Sequence, residues 1–195
     1  LNPSLHEFTD IIISEADRLR DLVDRLIGPQ RQTHKQSYNI HQVLDKIDQL
    51  LRAEAGDQVQ LIRDYDPSLP ELLIDANQMT QVFLNVGRNA LQALVEHQIS
   101  GGQISLKTRA VRRFTIGNTC HRLVCCISIC DNGPGIPADL KEDIFFPLVT
   151  RRAQGTGLGL SIAQSLIQQH QGLIECDSRQ GHTCFNIYLP MEKLP

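Results

Sequence analysis

A layered α/β domain preceded by one long helix is the fold class this sequence predicts, on three observations. Residues 5–27 carry apolar side chains at intervals of three and four, residues 40–189 alternate helical with strand-like patterning, and no internal repeat or low-complexity tract interrupts either stretch. At 195 residues and 41% apolar content the chain can bury one sizeable core and is too short for two domains of average size. A net charge of -3 lacks the basic footprint of a nucleic-acid binder. The absence of an apolar run of about eighteen residues, and of a basic N-terminus leading into an apolar core, predicts neither membrane span nor signal peptide and a cytoplasmic chain.

The first helix is predicted from Leu5, Phe8, Ile12, Ala16, Leu19, Val23 and Leu26, a coiled-coil-like seam that needs a second copy or a further helix to cover it. Gly28 and Pro29 stop it, and the polar residues 30–37 read as a linker. Ile40 to Leu51 is expected to be helical and Val59 to Tyr65 a strand. Asp66, Pro67 and Pro70 turn into a short strand ending at Ile74. Asp75 with Gln78 resembles a capping pair for a helix running to about Glu96. Strands are expected at 103–116 and 122–130, joined through Gly117 and Asn118. A short helix at 137–144 follows, then a helix from Gly159 to Gln171 ended by Gly172, and closing strands at 173–177 and 184–189. Of the six cysteines, Cys125, Cys126 and Cys130 lie in a strand-like run and no C-x-x-C spacing occurs, so reduced, buried, packing thiols are expected.

Three patterns carry chemistry. Asn85, Arg88, Asn89 and Gln92 form one polar stripe on an otherwise apolar helix, and amide oxygens suit Mg²⁺, which shares its shell with substrate phosphates. Asp131, Gly133 and Gly135 directly follow an apolar strand: a strand-end carboxylate can accept from an exocyclic amine such as that of adenine, while glycines allow close approach of backbone to a ring. Gly155, Thr156, Gly157, Leu158, Gly159 and Leu160 open the last helix, where bare N–H groups and the helix dipole can cradle an anion. The spacing is not that of a dinucleotide-binding turn. Residues 145–154 before it read as a flap hinged by glycines. Each pattern alone has an ordinary structural explanation, but their order supplies metal ligand, base reader, lid and phosphate cradle for one nucleotide.

With these motifs the chain resembles the ATP-binding superfamily of histidine kinases, type II topoisomerase ATPase subunits, Hsp90 chaperones and mismatch-repair ATPases. The resemblance implies an α+β two-layer sandwich: a mixed, mostly antiparallel sheet of about five strands covered on one face by about three helices. It implies ATP and Mg²⁺ as cofactors, Asn89 as principal Mg²⁺ ligand with Asn85, Asp131 as adenine anchor, and Thr183 as its support. Gly133, Gly135, Ile136, Phe145, Gln92 and residues 155–160 are the further nucleotide-binding candidates, and Arg88, Arg151 and Arg152 candidates to touch phosphate. Residues 16–30, 61–72 and 89–94 further resemble the nitrogen-regulation branch of the sensor histidine kinases. That implies a cytosolic homodimer phosphorylating and dephosphorylating an NtrC-like response regulator under a PII-type signalling protein. Residues 1–29 would then be the second helix of a dimerisation and phosphoacceptor module, the enzyme's own partner, and 38–195 the catalytic domain.

The chain departs from the family pattern in two places. The phosphoacceptor motif is absent, since His6 and Glu7 imitate only its beginning. Gly87 sits in mid-helix at a cost of about 1 kcal/mol against alanine. Where hydrolysing members of the superfamily carry a glutamate, this chain has Asn85, which takes no proton at neutral pH. That points to a kinase awaiting an external imidazole; a hydrolysing ATPase and a non-catalytic nucleotide-binding module are the rival classes.

Overall fold

The computed structural model describes residues 33–56, 58–150 and 156–191. The chain divides into two compact units, Leu1–Gln32 and Thr33–Pro195. The predicted N-terminal helix, His6, the first residues of the expected linker, Arg151, Arg152 and Gly155 lie outside the described residues. Within the second unit the expected linker already enters strand β1 (Gln36–Tyr38). Helix α1 (Ile40–Ala55) follows, started by Asn39, whose side chain accepts from the His41 N–H at 2.9 Å, and ended at Gly56 with φ +56°. Strands β2 (Val59–Asp64) and β3 (Leu72–Ile74) lead to helix α2 (Ala76–Glu96). Asp75 caps α2 by accepting from the N–H groups of Asn77 and Gln78 at 3.0 and 3.2 Å, one half of the expected capping pair. The other half is missing, because the Gln78 side-chain oxygen is buried without a hydrogen bond.

The long hairpin β4 (Gly102–Ile116) and β5 (Thr119–Asp131) turns at Gly117 with φ +58°, and helix α3 (Gly159–Gln169) precedes the closing pair β6 (Leu173–Arg179) and β7 (His182–Pro190). The five-stranded sheet has the order β2-β4-β5-β7-β6, with β2 parallel to β4 and the other neighbours antiparallel. Strand β3 does not join it but pairs with β1 in a separate ribbon. Alternate strand residues such as Ile104, Leu106, Ile127, Ile129, Phe185 and Ile187 share one core with Leu44, Ile47, Phe83, Val86 and Ile167 of the helices. Each such side chain contributes roughly 1.5–3 kcal/mol by leaving water. Gly87 faces Leu51 of α1, and a Cβ there would lie 2.7 Å from the Leu51 Cδ1 atom. A side chain at this mid-helix position would therefore have to displace the buried Leu51 side chain.

Three expectations need correction. Residues 137–144 form no α-helix: the Leu140, Asp143 and Phe146 N–H groups bond back three residues, to the carbonyls of Pro137, Leu140 and Asp143. Such turns follow one another without the overlapping i to i−4 ladder of a helix. Helix α3 stops at Gln169, since Gln171 takes φ +57° and the Gly172 N–H closes on the Ile167 carbonyl at 2.9 Å. Gly172 is needed for proximity instead, a Cβ there meeting the Tyr188 carbonyl oxygen at 2.5 Å. Finally, the register that sets Asp131 opposite Thr183 also sets Cys130 opposite Cys184 at a Cα–Cα distance of 4.0 Å, and the two are joined by a disulfide rather than reduced. Cys125 and Cys126 remain free thiols, and burial pushes the Cys125 thiol up to about 12.

Candidate functional site

Three adjacent strands deliver the first group. Asp131 ends β5, Thr183 lies opposite it in β7, and Ser178 lies opposite Thr183 in β6. All three are 5% exposed, so each polar group must find a partner within the protein or a ligand. The Ser178 and Thr183 hydroxyls are 3.0 Å apart, and the Ile136 N–H donates to Ser178 Oγ at 2.8 Å. Asp131 Oδ1 accepts from the Gly133 N–H at 2.9 Å, and the Lys141 ammonium donates to the Ser178 carbonyl. A loop is thus folded back over the strand ends with Asp131 inside it.

Two glycines permit that loop. A Cβ on Gly133 would stand 2.6 Å from Asp131 Oδ1. Gly135 has φ +86°, and a Cβ on it would stand 2.6 Å from the Arg179 carbonyl oxygen. Asn132 anchors the loop to the start of β4, accepting from the Gln103 N–H at 2.7 Å and donating to the Gly101 carbonyl at 3.0 Å. Phe145 meets Phe185 edge-on with ring centroids 6.3 Å apart, whereas Phe146 is 59% exposed.

The second group forms where α2 meets α3. Asn85 donates from Nδ2 to the Gly159 carbonyl at 3.0 Å, which leaves its Oδ1 as the amide atom able to accept or coordinate. Asn89, one turn on, shares that face of α2. Gly157 has φ +65°, accepts from the Leu148 N–H at 3.0 Å, and carries no Cβ because one would lie 2.6 Å from the Leu148 carbonyl carbon. Among the described residues no side chain caps α3, whose N-terminal position is taken by the buried Leu158. The amide oxygens of Asn85 and Asn89 fit the hard donor set that magnesium takes in company with phosphate.

Placement separates the remaining candidates. Arg88 is turned to α1, where Nε and Nη2 make a two-pronged ion pair with Glu54 at 3.0 and 2.5 Å. Hydrogen bonding to Arg88 holds the Glu54 carboxyl below its usual range. Gln92 is exposed on α2, and Thr156 and Leu160 flank the Gly157 turn half-buried. Sequence reasoning missed Ser178, Lys141 and Asn132. Ser178 had a signal: it lies five residues before Thr183 around the tight turn at Gly181, which places the two side by side on paired strands.

The family model described as histidine kinase-, DNA gyrase B- and HSP90-like ATPase matches residues 74–193. The sensory histidine kinase/phosphatase NtrB of Escherichia coli O157:H7 is 52% identical over 192 residues, covering 98% of this chain and 54% of that protein. The NtrB of Klebsiella oxytoca is 51% identical with the same coverage. The chain therefore spans about half the length of the curated relatives it matches. Among solved structures, the nucleotide-free catalytic domain of histidine kinase ThkA superposes with a TM-score of 0.67 at 25% identity, over 80% of this chain and 95% of that one. Full-length ShkA in complex with AMPPNP shares the fold at a TM-score of 0.71 and 20% identity, over all of this chain and 40% of that one. The strand-end carboxylate, the paired hydroxyls, the amide-bearing helix and the glycine turn thus occur in a chain that belongs to the histidine kinase-, DNA gyrase B- and HSP90-like ATPase family.

Proposed function

We propose that this chain binds ATP with Mg²⁺ and transfers the γ-phosphoryl to a histidine on a dimerisation module, for onward transfer to an NtrC-like response regulator in nitrogen regulation. The NtrB relatives support the pathway, and one observation carries the site. Gly133 packs toward Leu94, a Cβ on it lying 3.6 Å from Leu94 Cδ2, while Asn85 meets Gly159 nine residues earlier on the same helix. At the helical rise these points are about 13 Å apart along α2, the scale of an extended nucleoside triphosphate. Adenine sits against Asp131, Thr183 and Ser178, and the phosphates reach the Gly157 turn and the two asparagines.

Magnesium bound there neutralises phosphate charge, and the amides of Asn85 and Asn89 hold it. The chain's own residues orient the nucleotide: the Asp131 carboxylate accepts from the adenine amine, and the bare backbone at Gly157 lets the polyphosphate approach. Asn85 takes no proton and its nitrogen is committed to Gly159, so water attack is poorly catalysed. The γ-phosphoryl passes instead to an imidazole nitrogen, as the bond to the β-phosphate oxygen breaks and ADP leaves with the electron pair. Residues 1–29 serve as the second helix of the dimerisation module, in a cytoplasmic homodimer answering to a PII-type protein.

The test combines this chain with a separate protein carrying the phosphoacceptor helix pair, labelled ATP and Mg²⁺. Acid-labile label appears on the partner and disappears with Asn89→Ala. Steady phosphate release without a labelled partner would instead assign a hydrolase.

A further inference from the structure

The far end of the β4–β5 hairpin is built at a cost that the nucleotide site does not explain. Beyond Lys107 strand β4 has left β2, and strand β5 pairs with β7 only from Val124 onward, so between Val111 and Arg122 the two strands pair with no third strand among the described residues. Within this ribbon Arg113 takes φ +53°, a conformation unfavourable for any residue with a side chain. The ladder skips one pair there without a change of register: Arg112 opposes Leu123 and Phe114 opposes His121, while Arg113 and Arg122 face one another without a ladder pair. The kink brings Phe114 over the sheet to stack on Tyr188 with centroids 4.0 Å apart.

Arg112, Arg113 and Arg122 line a hollow of about 460 Å³ floored by Leu123. Like charges across a strand pair repel, and among the described residues no carboxylate is paired with Arg112 or Arg113. Arg112, Arg113 and Arg122 thus lie together at one concavity, beside the strained backbone of Arg113, in a chain whose net charge is -3. The hollow lies nine residues along β5 from Asp131, about 30 Å at the rise of a strand, so an occupant would leave the nucleotide site open.

We propose that this arginine-lined ribbon docks an extended acidic segment of a partner protein. Guanidinium groups take carboxylates two-pronged, and the open edges of the ribbon offer the N–H and C=O groups to which an extended chain adds as a strand. Those unpaired strand edges favour a polypeptide over a lipid headgroup or a free phosphate, neither of which has a backbone to pair with them.

A fluorescein-labelled decapeptide of alternating Glu and Val, titrated by anisotropy against the 195-residue chain, tests this. Binding is expected at low salt and should weaken in about 0.5 M salt, where charges are screened over a few ångströms. Charge reversal of Arg112 and Arg122 to Glu should weaken it by about tenfold or more. Affinity for an ATP analogue should stay unchanged, which certifies the fold. Arg113→Gly guards against misfolding: glycine relieves the positive φ, so this variant should melt higher while binding the peptide more weakly. Peptide affinity unaltered in both variants, or no binding to the parent chain at millimolar peptide, overturns the proposal. So does arginine-dependent binding of phosphatidylglycerol vesicles or inorganic pyrophosphate without any of the peptide.

Discussion

Ser178 shows how much of the candidate site hangs on one hydroxyl group. It accepts from Ile136 in the loop after Asp131 and pairs with Thr183 in the neighbouring strand, so it joins the loop to the sheet at the place assigned to adenine. Ser178→Ala strands a buried N–H and a buried hydroxyl, at about 1–3 kcal/mol for each group left unsatisfied. A lower melting temperature and an affinity for an ATP analogue reduced by roughly tenfold are expected, with Ser178→Thr restoring most of both. Equal analogue affinity in the alanine variant would show that the pair only supports the strands. Arg88 gives the contrasting case. Its place in the stripe with Asn85 and Asn89 is visible in the sequence, but its bond to Glu54 joins residues 34 apart and depends on how α1 crosses α2.

At the scale of elements, legibility follows whether the deciding interaction is local. Helix α2 was readable at both ends because Asp75 caps it in place and its apolar period runs unbroken to Glu96. Residues 137–144 have a helix-compatible composition, but their successive turns do not overlap, and composition does not report that. The pairing of β3 with β1, and of Cys130 with Cys184, were invisible because partners in a sheet are chosen over tens of residues. The Asp131 and Gly157 turns were legible because their glycines answer to neighbours close in space and to backbone angles that the motif itself records.

The junction of α2 with α3 also carries a pH dependence. Buried His170 accepts the Asp75 N–H at Nε2 and lies 2.8 Å from the Leu166 carbonyl at Nδ1, an arrangement that requires the neutral ring. Burial lowers its pKa; the Leu166 carbonyl and Asp75 raise it less, and Lys35 lowers it further. Burial likewise lowers His41, against the opposing pull of Asp45 and Asp66. Because the native state takes up these protons at lower pH than the unfolded chain, their contribution is whole above about pH 6.5. It is lost as pH falls from there through the lowered native values. Denaturant midpoints measured across that window should fall with acidity, and His170→Gln should flatten the slope without abolishing it.

Within the second unit the strands and helices share one core, so a ligand bridging the strand ends and α2 should stabilise that unit noticeably. An ATP analogue at a hundred times its dissociation constant adds about 2.7 kcal/mol by mass action. A scanning melt should show this as a rise that grows with ligand concentration and shrinks with Asp131→Asn. A rise equal in the variant would move the adenine anchor elsewhere.

The clasp between the Leu148 N–H and the Gly157 carbonyl bears on how such a domain could vary over time. Because the chain leaves and returns at one fixed point, the start of α3 is set by that bond rather than by the number of residues between Leu148 and Gly157. Inserted residues there should therefore leave the start of α3, and the asparagine resting on it, where they are.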